Sequence, residues 1–160
     1  MIVFKQTNKI DVDKLDQLYS SVGWSSYTAN LNQLAKAVNN SRTVISAWDY
    51  DQLVGLIRAV GDGETILYIQ DLLVKPNYQN QKIGSNLLEK MLTENQHIRQ
   101  KVLLAEDTQI LRNFYNKHGY EPCEAGNVVS FYREFSANTS QSKSNFYLEL
   151  LFFLKKLENN

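Results

Sequence analysis

A chain of 160 residues carrying 17 Lys and Arg against 17 Asp and Glu is long enough to bury a core without disulfides or metal. Its charge is too balanced to draw nucleic acid through the overall field. Cys123 is the single cysteine, which excludes an internal disulfide and suits a reducing compartment; no stretch approaches the roughly 20 apolar residues of a membrane span, and the N-terminal apolar run is too short for a secretory signal, so a soluble, cytoplasmic protein is the expectation.

Residues 2–5 read as a first strand. Asp11 can cap a helix whose apolar stripe is Val12, Leu15, Leu18, Tyr19 and Val22 and which Gly23 ends. After GWSSYT a second amphipathic helix presents Leu31, Leu34, Ala35 and Val38 and stops at Asn39, Asn40 and Ser41. RTVISAW and QLVGLIRAV read as a hairpin turned at DYD. GDGE then leads into TILYIQDLLV, apolar on both faces except at Gln70 and Asp71, the pattern of a central strand covered on both sides. In a regular strand those two residues point to opposite faces, and only a bulge would bring them together.

Pro76 closes that strand, and Ile83, Leu87, Leu88, Met91 and Leu92 recur at helical spacing beyond it. KVLLAE is another short strand. Asp107 or Thr108 can cap a helix bearing Ile110, Leu111, Phe114 and Tyr115, with Gly119 at its end. A last strand region is expected from about Tyr120 to Phe135, interrupted near Ala125 to Asn127. The order predicts a mixed α/β sheet in one domain, residues 1–135. Residues 136–160 start as the Ser- and Asn-rich linker SANTSQSKSN and end in the apolar FYLELLFFLKKL, expected to dock on the domain or to form a homodimer.

The stretch YQNQKIGSNLLEKM runs from a polar loop into a helix. Unpaired N–H groups at a helix N-terminus can hold phosphate oxygens, and Gly84 lets a ligand approach the main chain closely. The alternative is a helix entrance that is merely polar. Lys82 stands where the helix dipole disfavours a cation. A positive φ there would cost on the order of 1 kcal/mol; a negative φ would leave the ammonium available to a phosphate. ATP and dinucleotides lose their best support, because GxxxxGK[ST] is absent and no GxGxxG follows a strand.

With DLLVKP leading into this loop, the chain resembles the Gcn5-related N-acetyltransferase (GNAT) superfamily. The family's pyrophosphate loop reads Arg or Gln, two residues, Gly, one residue, then Gly or Ala. Gln79, Asn80, Gln81, Lys82, Ile83 and Gly84 match at the first and last positions, with Lys82 in place of the first glycine. The resemblance implies a mixed, mainly antiparallel central sheet flanked by helices. It also implies acetyl-coenzyme A as co-substrate, held by this loop, by Ser85 after it and by the main chain of Leu73 and Val74. DTQILRNFYNKHGYEP resembles the family's following motif: Tyr115 matches the frequent general acid, and Thr108 stands where the family has Asn. The resemblance covers about residues 2–135, and VGWSSYT with VGLIRAVGDGETILYIQDLLV is similar to the bacterial branch related to arylalkylamine acetyltransferases.

Acetyl transfer from a thioester to an amine needs a neutral amine, a polarised carbonyl and a proton for the departing thiolate. A splayed strand end at Val74 could supply the N–H for the carbonyl. Tyr115, of ordinary pKa about 10, can supply the proton; otherwise it is a core tyrosine extending its helix stripe. Asp71 is the candidate base, through an ordered water, or a structural carboxylate bonded to a neighbouring loop; Glu106 is the alternative base. Trp24 and Tyr27 are candidates for an acceptor wall suited to an aryl or cationic amine, or Trp24 simply covers the core edge. His97 and His118 lack metal-ligand spacing, and no metal is expected. Cys123 has no histidine beside it, so direct transfer without an acyl-enzyme is favoured. The leading expectation is an acetyl-coenzyme A dependent N-acetyltransferase acting on a small primary amine. The rivals are an idle domain that binds coenzyme A or a protein partner, and a site for another phosphate-bearing ligand.

Overall fold

The structure, a computed structural model, describes residues 1–133. The expected linker and apolar tail, and the last residues of the expected final strand, lie outside the described residues. The chain groups into two compact units, Met1–Leu104 and a second beginning at Ala105. The first contains β1 (Ile2–Gln6), α1 (Val12–Ser21), the single turn α2 (Ser25–Thr28), α3 (Leu31–Asn39), β2 (Thr43–Asp49), β3 (Gln52–Gly61), β4 (Ile66–Val74), α4 (Ile83–Glu94) and β5 (Gln100–Leu103). The second contains α5 (Gln109–Lys117).

Local chemistry sets these boundaries. Asp11 accepts from the Asp13 N–H and caps α1, while Gly23, at φ +79°, takes the left-handed turn that releases the chain after it. Asn30 caps α3 by accepting from the Gln33 N–H. Asp62 accepts from the backbone N–H groups of Glu64, Thr65 and Ile66, which closes the β3–β4 turn. These bonds hold its carboxyl below the usual range, the Thr65 hydroxyl contributing most.

The five strands lie in sequence order, β1-β2-β3-β4-β5, antiparallel except for the parallel β4–β5 pair. The sheet is therefore mixed and mainly antiparallel, as the resemblance implies. β3 is buried along its length except at its ends, whereas β4 alternates between buried and half-buried positions apart from the exposed Gln70. The expectation that TILYIQDLLV is the doubly covered strand is corrected on that point. Its partner β5 spans only Gln100–Leu103 and leaves the second half of β4 without a strand on that side among the described residues.

Helices cover both faces. A Cβ at Gly55 of β3 would lie 3.2 Å from both Ile83 and Leu87 of α4, so this face belongs to α4. Arg58, three positions on and of opposite parity, faces the layer of α1, where Tyr19 lies. Leu15, Leu18, Leu56, Ile57, Leu87 and Leu88 are fully buried, each contributing about 1.5–3 kcal/mol by leaving water.

Two further expectations are corrected. Tyr120 to Arg133 form no strand: Pro122 has no N–H to offer a ladder and opens a 3-10 turn over Cys123–Gly126, and Asn127 leaves that turn at φ +58°. Val128, Val129, Phe131 and Tyr132 are all exposed. On α5, Ile110 is 68% exposed rather than part of the apolar stripe.

Candidate active site

The loop between β4 and α4 is braced from three sides. Lys75 ends the strand by donating its N–H to Val54 O at 2.9 Å, and Pro76–Tyr78 make a 3-10 turn. The Tyr78 hydroxyl lies 3.0 Å from Asp49 Oδ2 and 3.1 Å from Gln52 Oε1, which ties the loop to the β2–β3 hairpin. Gln79 Nε2 donates to Val74 O at 3.2 Å, and Gln81 Nε2 to Asn77 O at 3.2 Å. Between these braces the main chain turns twice through the left-handed region, at Asn80 (φ +60°) and Lys82 (φ +62°). Asparagine tolerates that conformation and lysine does not. Lys82 is also the first residue of the α4 entrance, where no side chain caps the helix. The Ile83 and Gly84 amides at the start of α4 thus lack a cap from the Lys82 side chain and can face an anion.

This loop follows the part of β4 that has already parted from β5. Pairing runs from Ile66 with Gln100 to Ile69 with Leu103 and stops, so Gln70 to Val74 have no strand partner on the β5 side among the described residues. Leu73 and Val74 are in this free stretch, with Val74 O taken by Gln79.

At the start of the stretch β4 carries a bulge. Arg58 pairs with Asp71 and Ala59 with Ile69, so Gln70 is an extra residue without a β3 partner. The bulge reverses the parity expected for a regular strand, and Gln70 and Asp71 both reach the hydroxyl of Tyr27. Asp71 is 1% exposed and fully engaged. Its Oδ2 accepts from the Tyr19 hydroxyl at 2.7 Å and from Arg58 Nε, and its Oδ1 accepts from the Tyr27 hydroxyl at 2.8 Å. Arg58, 6% exposed, also donates from Nη1 to Ser41 Oγ at 3.3 Å. Burial opposes the Arg58 charge, and the Asp71 carboxylate together with the Tyr19 and Tyr27 hydroxyls offsets it, leaving its pKa raised. Burial, followed by the Asp71 charge, pushes Tyr19 well above the usual phenol range and Tyr27 up to about 12.

Trp24 stacks on Tyr27, with centroids 5.6 Å apart and planes at 26°, and Tyr19 closes the group 5.9 Å from Trp24 and 5.2 Å from Tyr27. The two residues singled out as an acceptor wall thus form one rigid aromatic surface anchored through hydroxyl groups to a buried ion pair. Sequence reasoning missed Tyr19, Arg58 and Tyr78. Arg58 did leave a signal: a lone charge within the apolar QLVGLIRAV needs a buried partner, and Asp71 is the lone carboxylate of the next strand.

In the second unit, Thr108 caps α5 by accepting from the Leu111 N–H at 3.2 Å. Tyr115 packs edge-on against Phe114 at 5.1 Å and Tyr120 at 6.0 Å. Burial pushes Tyr115 up to about 12, and among the described residues none hydrogen-bonds its hydroxyl. The Tyr120 hydroxyl is buried without a hydrogen-bond partner among the described residues. Glu106 is raised by burial. His97, in the turn that follows α4, lies 3.1 Å from Gly63 O through Nε2 and braces the β3–β4 turn. Cys123 is exposed.

Residues 15–133 match the acetyltransferase (GNAT) domain family. The chain belongs to the GNAT acetyltransferases. The uncharacterized N-acetyltransferase ycf52-like of Prochlorococcus marinus is 31% identical over 136 residues, covering 81% of this chain and 73% of that protein. A Glycine max protein named histone acetyltransferase TAP1 is 33% identical over 132 residues, covering 75% of this chain and 56% of its own length. The chain therefore spans little more than half of that plant relative. Among solved structures, a GNAT family acetyltransferase from Streptococcus pneumoniae superposes with a TM-score of 0.74 at 31% identity, over 86% of this chain and 100% of the other.

In this GNAT domain the lysine at the usual glycine position takes the positive φ, so it is the costly arrangement that is present. Lys82→Gly is expected to raise stability by up to about 1 kcal/mol, seen as a Tm increase of about 2–4 °C by calorimetry. Coenzyme A affinity, read by isothermal titration, should change little because the main-chain donors stay in place; a tenfold loss would show instead that the ammonium contacts a phosphate.

Proposed function

We propose that this GNAT domain transfers the acetyl group of acetyl-coenzyme A directly to a primary amine of a small molecule. The observation that carries the reading is the run from the end of β4, which has no strand partner on its β5 side among the described residues, into a twice left-handed loop and a helix whose N-cap side chain makes no capping bond. Such a run offers main-chain groups to an extended arm and then donors to a diphosphate. In this reading Leu73 and Val74 receive the pantetheine arm, and Gln79, Asn80, Gln81, Lys82, Ile83, Gly84 and Ser85 receive the pyrophosphate. Thr108 stands at the second contact region. The Trp24 and Tyr27 faces hold the acceptor. Acetyl-coenzyme A supplies an activated thioester carbonyl.

The amine nitrogen bonds to that carbonyl carbon, the carbon–sulfur bond breaks, the amine proton passes to a base, and Tyr115 gives its hydroxyl proton to the thiolate. For the base, Glu106 has a pKa raised by burial. Asp71 can accept a proton only after one of its three protein donors is released. We therefore assign Asp71 the anchoring of the aromatic wall, with Glu106 as the alternative base.

Thermal shift tests the cofactor: acetyl-coenzyme A and coenzyme A at 100 times Kd should stabilise by about 2.7 kcal/mol, and ATP and NAD should not. Thiol release from acetyl-coenzyme A with 2-phenylethylamine, spermidine, kanamycin and a lysine peptide tests the acceptor. Response to the peptide alone would move the reading towards a protein substrate, the kind of activity named for the plant relative. A coenzyme A shift with no turnover on any amine would leave an idle binding domain.

A further inference from the structure

The hydrogen bonds around Asp71 run in one direction, and the direction ends at an exposed atom. A carboxylate can only accept, so the Tyr27 hydroxyl spends its one proton on Asp71 Oδ1, 2.8 Å away. That leaves the Tyr27 oxygen as an acceptor. The side chain 3.0 Å from it, Gln70, must therefore present its NH₂ group to Tyr27. Gln70 Oε1 is then turned away from Tyr27, and among the described residues none donates to it. The buried Arg58 and Tyr19, both on Asp71 Oδ2, hold the head of this chain still.

Gln70 is exposed. It is the extra residue of the β4 bulge and the first β4 residue beyond the last β4–β5 pair. A side-chain carbonyl of defined orientation is thus presented at the mouth of the free strand end, beside the stacked Trp24 and Tyr27 rings. We propose that Gln70 Oε1 receives an N–H of the incoming amine, making Gln70 a specificity-determining residue; this rests on the acetyl-transfer reading above.

Chemistry explains why an amide suits this place better than a carboxylate. The acceptor amine has to become neutral before it attacks. A negative charge beside it would raise its pKa and oppose that step, while a neutral carbonyl binds the N–H group and raises the pKa far less. The matching substrate class is a primary amine on an aryl or apolar body that lies on the Trp24–Tyr27 surface. An anionic group at the reacting end is disfavoured by the carbonyl oxygen.

The test uses the full chain and whichever of 2-phenylethylamine, spermidine, kanamycin or the lysine peptide gives the wild-type enzyme its highest kcat/KM. Gln70→Leu should raise the amine KM about tenfold, the loss of one hydrogen bond. The acetyl-coenzyme A KM should change less than about twofold, since the cofactor contacts are elsewhere. Gln70→Glu should lower the amine KM and move the rising limb of the kcat–pH profile to higher pH, an effect a merely structural side chain would not produce. Tyr27→Phe removes the acceptor that orients the amide and should raise the amine KM in the same direction, adding nothing further in the double variant with Gln70→Leu. If Gln70→Leu and Gln70→Glu both leave the amine KM and the pH profile unchanged while the wild type turns over, the assignment of Gln70 is overturned and the acetyl-transfer reading survives. If the wild type releases no thiol with any of the four amines, the acetyl-transfer reading fails and takes this one with it.

Discussion

Tyr115→Phe is expected to lower kcat by about 10²-fold or more, within the range for loss of a positioned general acid, while the coenzyme A Kd changes less than about threefold. The substitution deletes one hydroxyl and keeps the ring against Phe114 and Tyr120. That hydroxyl has no hydrogen-bond partner among the described residues, so its removal should not disturb the fold. Burial lifts its pKa to about 12. The acid form is thus complete throughout the neutral range and is lost only as pH rises towards 12. The kcat–pH profile of the wild type should accordingly show no falling limb from this group below about pH 10. Tyr115→Phe should depress the profile without changing its shape. Stopped-flow release of coenzyme A across pH 6–10 would check both, and an unchanged kcat in the variant would remove Tyr115 from the mechanism.

Asp71→Ala should cost about 3–5 kcal/mol of folding free energy, the loss found when one partner of a buried pair is removed. The Arg58 guanidinium would be left in the core without its counter-charge, and the fully buried Tyr19 hydroxyl without its acceptor. Urea denaturation measures this directly. The cause is separable from lost packing. Replacing both partners, Arg58→Met with Asp71→Leu, removes the stranded charge and should recover much of the loss. A cost under about 1 kcal/mol for Asp71→Ala would mean that the pair is hydrated and weak. Because Asp71 orients Tyr27, its loss should also raise the amine KM, whereas a lost base would act mainly on kcat.

How much of this was legible beforehand differs by element. Helix starts were readable because the caps are local: Asp11 and Thr108 do what their side chains do within three residues of chain. The loop was readable because Gln79 and Gly84 have a characteristic spacing before an apolar helix. The phases of Gln70 and Asp71 were not readable, because a bulge depends on how two strands register, and neither strand encodes that alone. The same limit hid the Asp71 cluster, whose members come from α1, α2, β3 and β4 and meet only in the folded layers. The expected strand after Tyr120 failed for a simpler reason. Val128, Val129, Phe131 and Tyr132 have strand-forming side chains, but Pro122 and Asn127 commit the preceding chain to local turns.

Strand order in the sheet follows order in the chain, and this bears on how the protein assembles. β2, β3 and β4 form a continuous meander closed by two short turns, so their pairing needs little loop closure and should form early. Among the described residues the β4–β5 pair is the one parallel join, and α4 with its entrance loop is the connection that spans it. Pairing across that connection is non-local and slow by comparison. The segment read here as the cofactor loop therefore belongs to the last part of the sheet to close, and a ligand that binds it would act as a late clamp on the folding reaction, slowing unfolding more than it speeds folding.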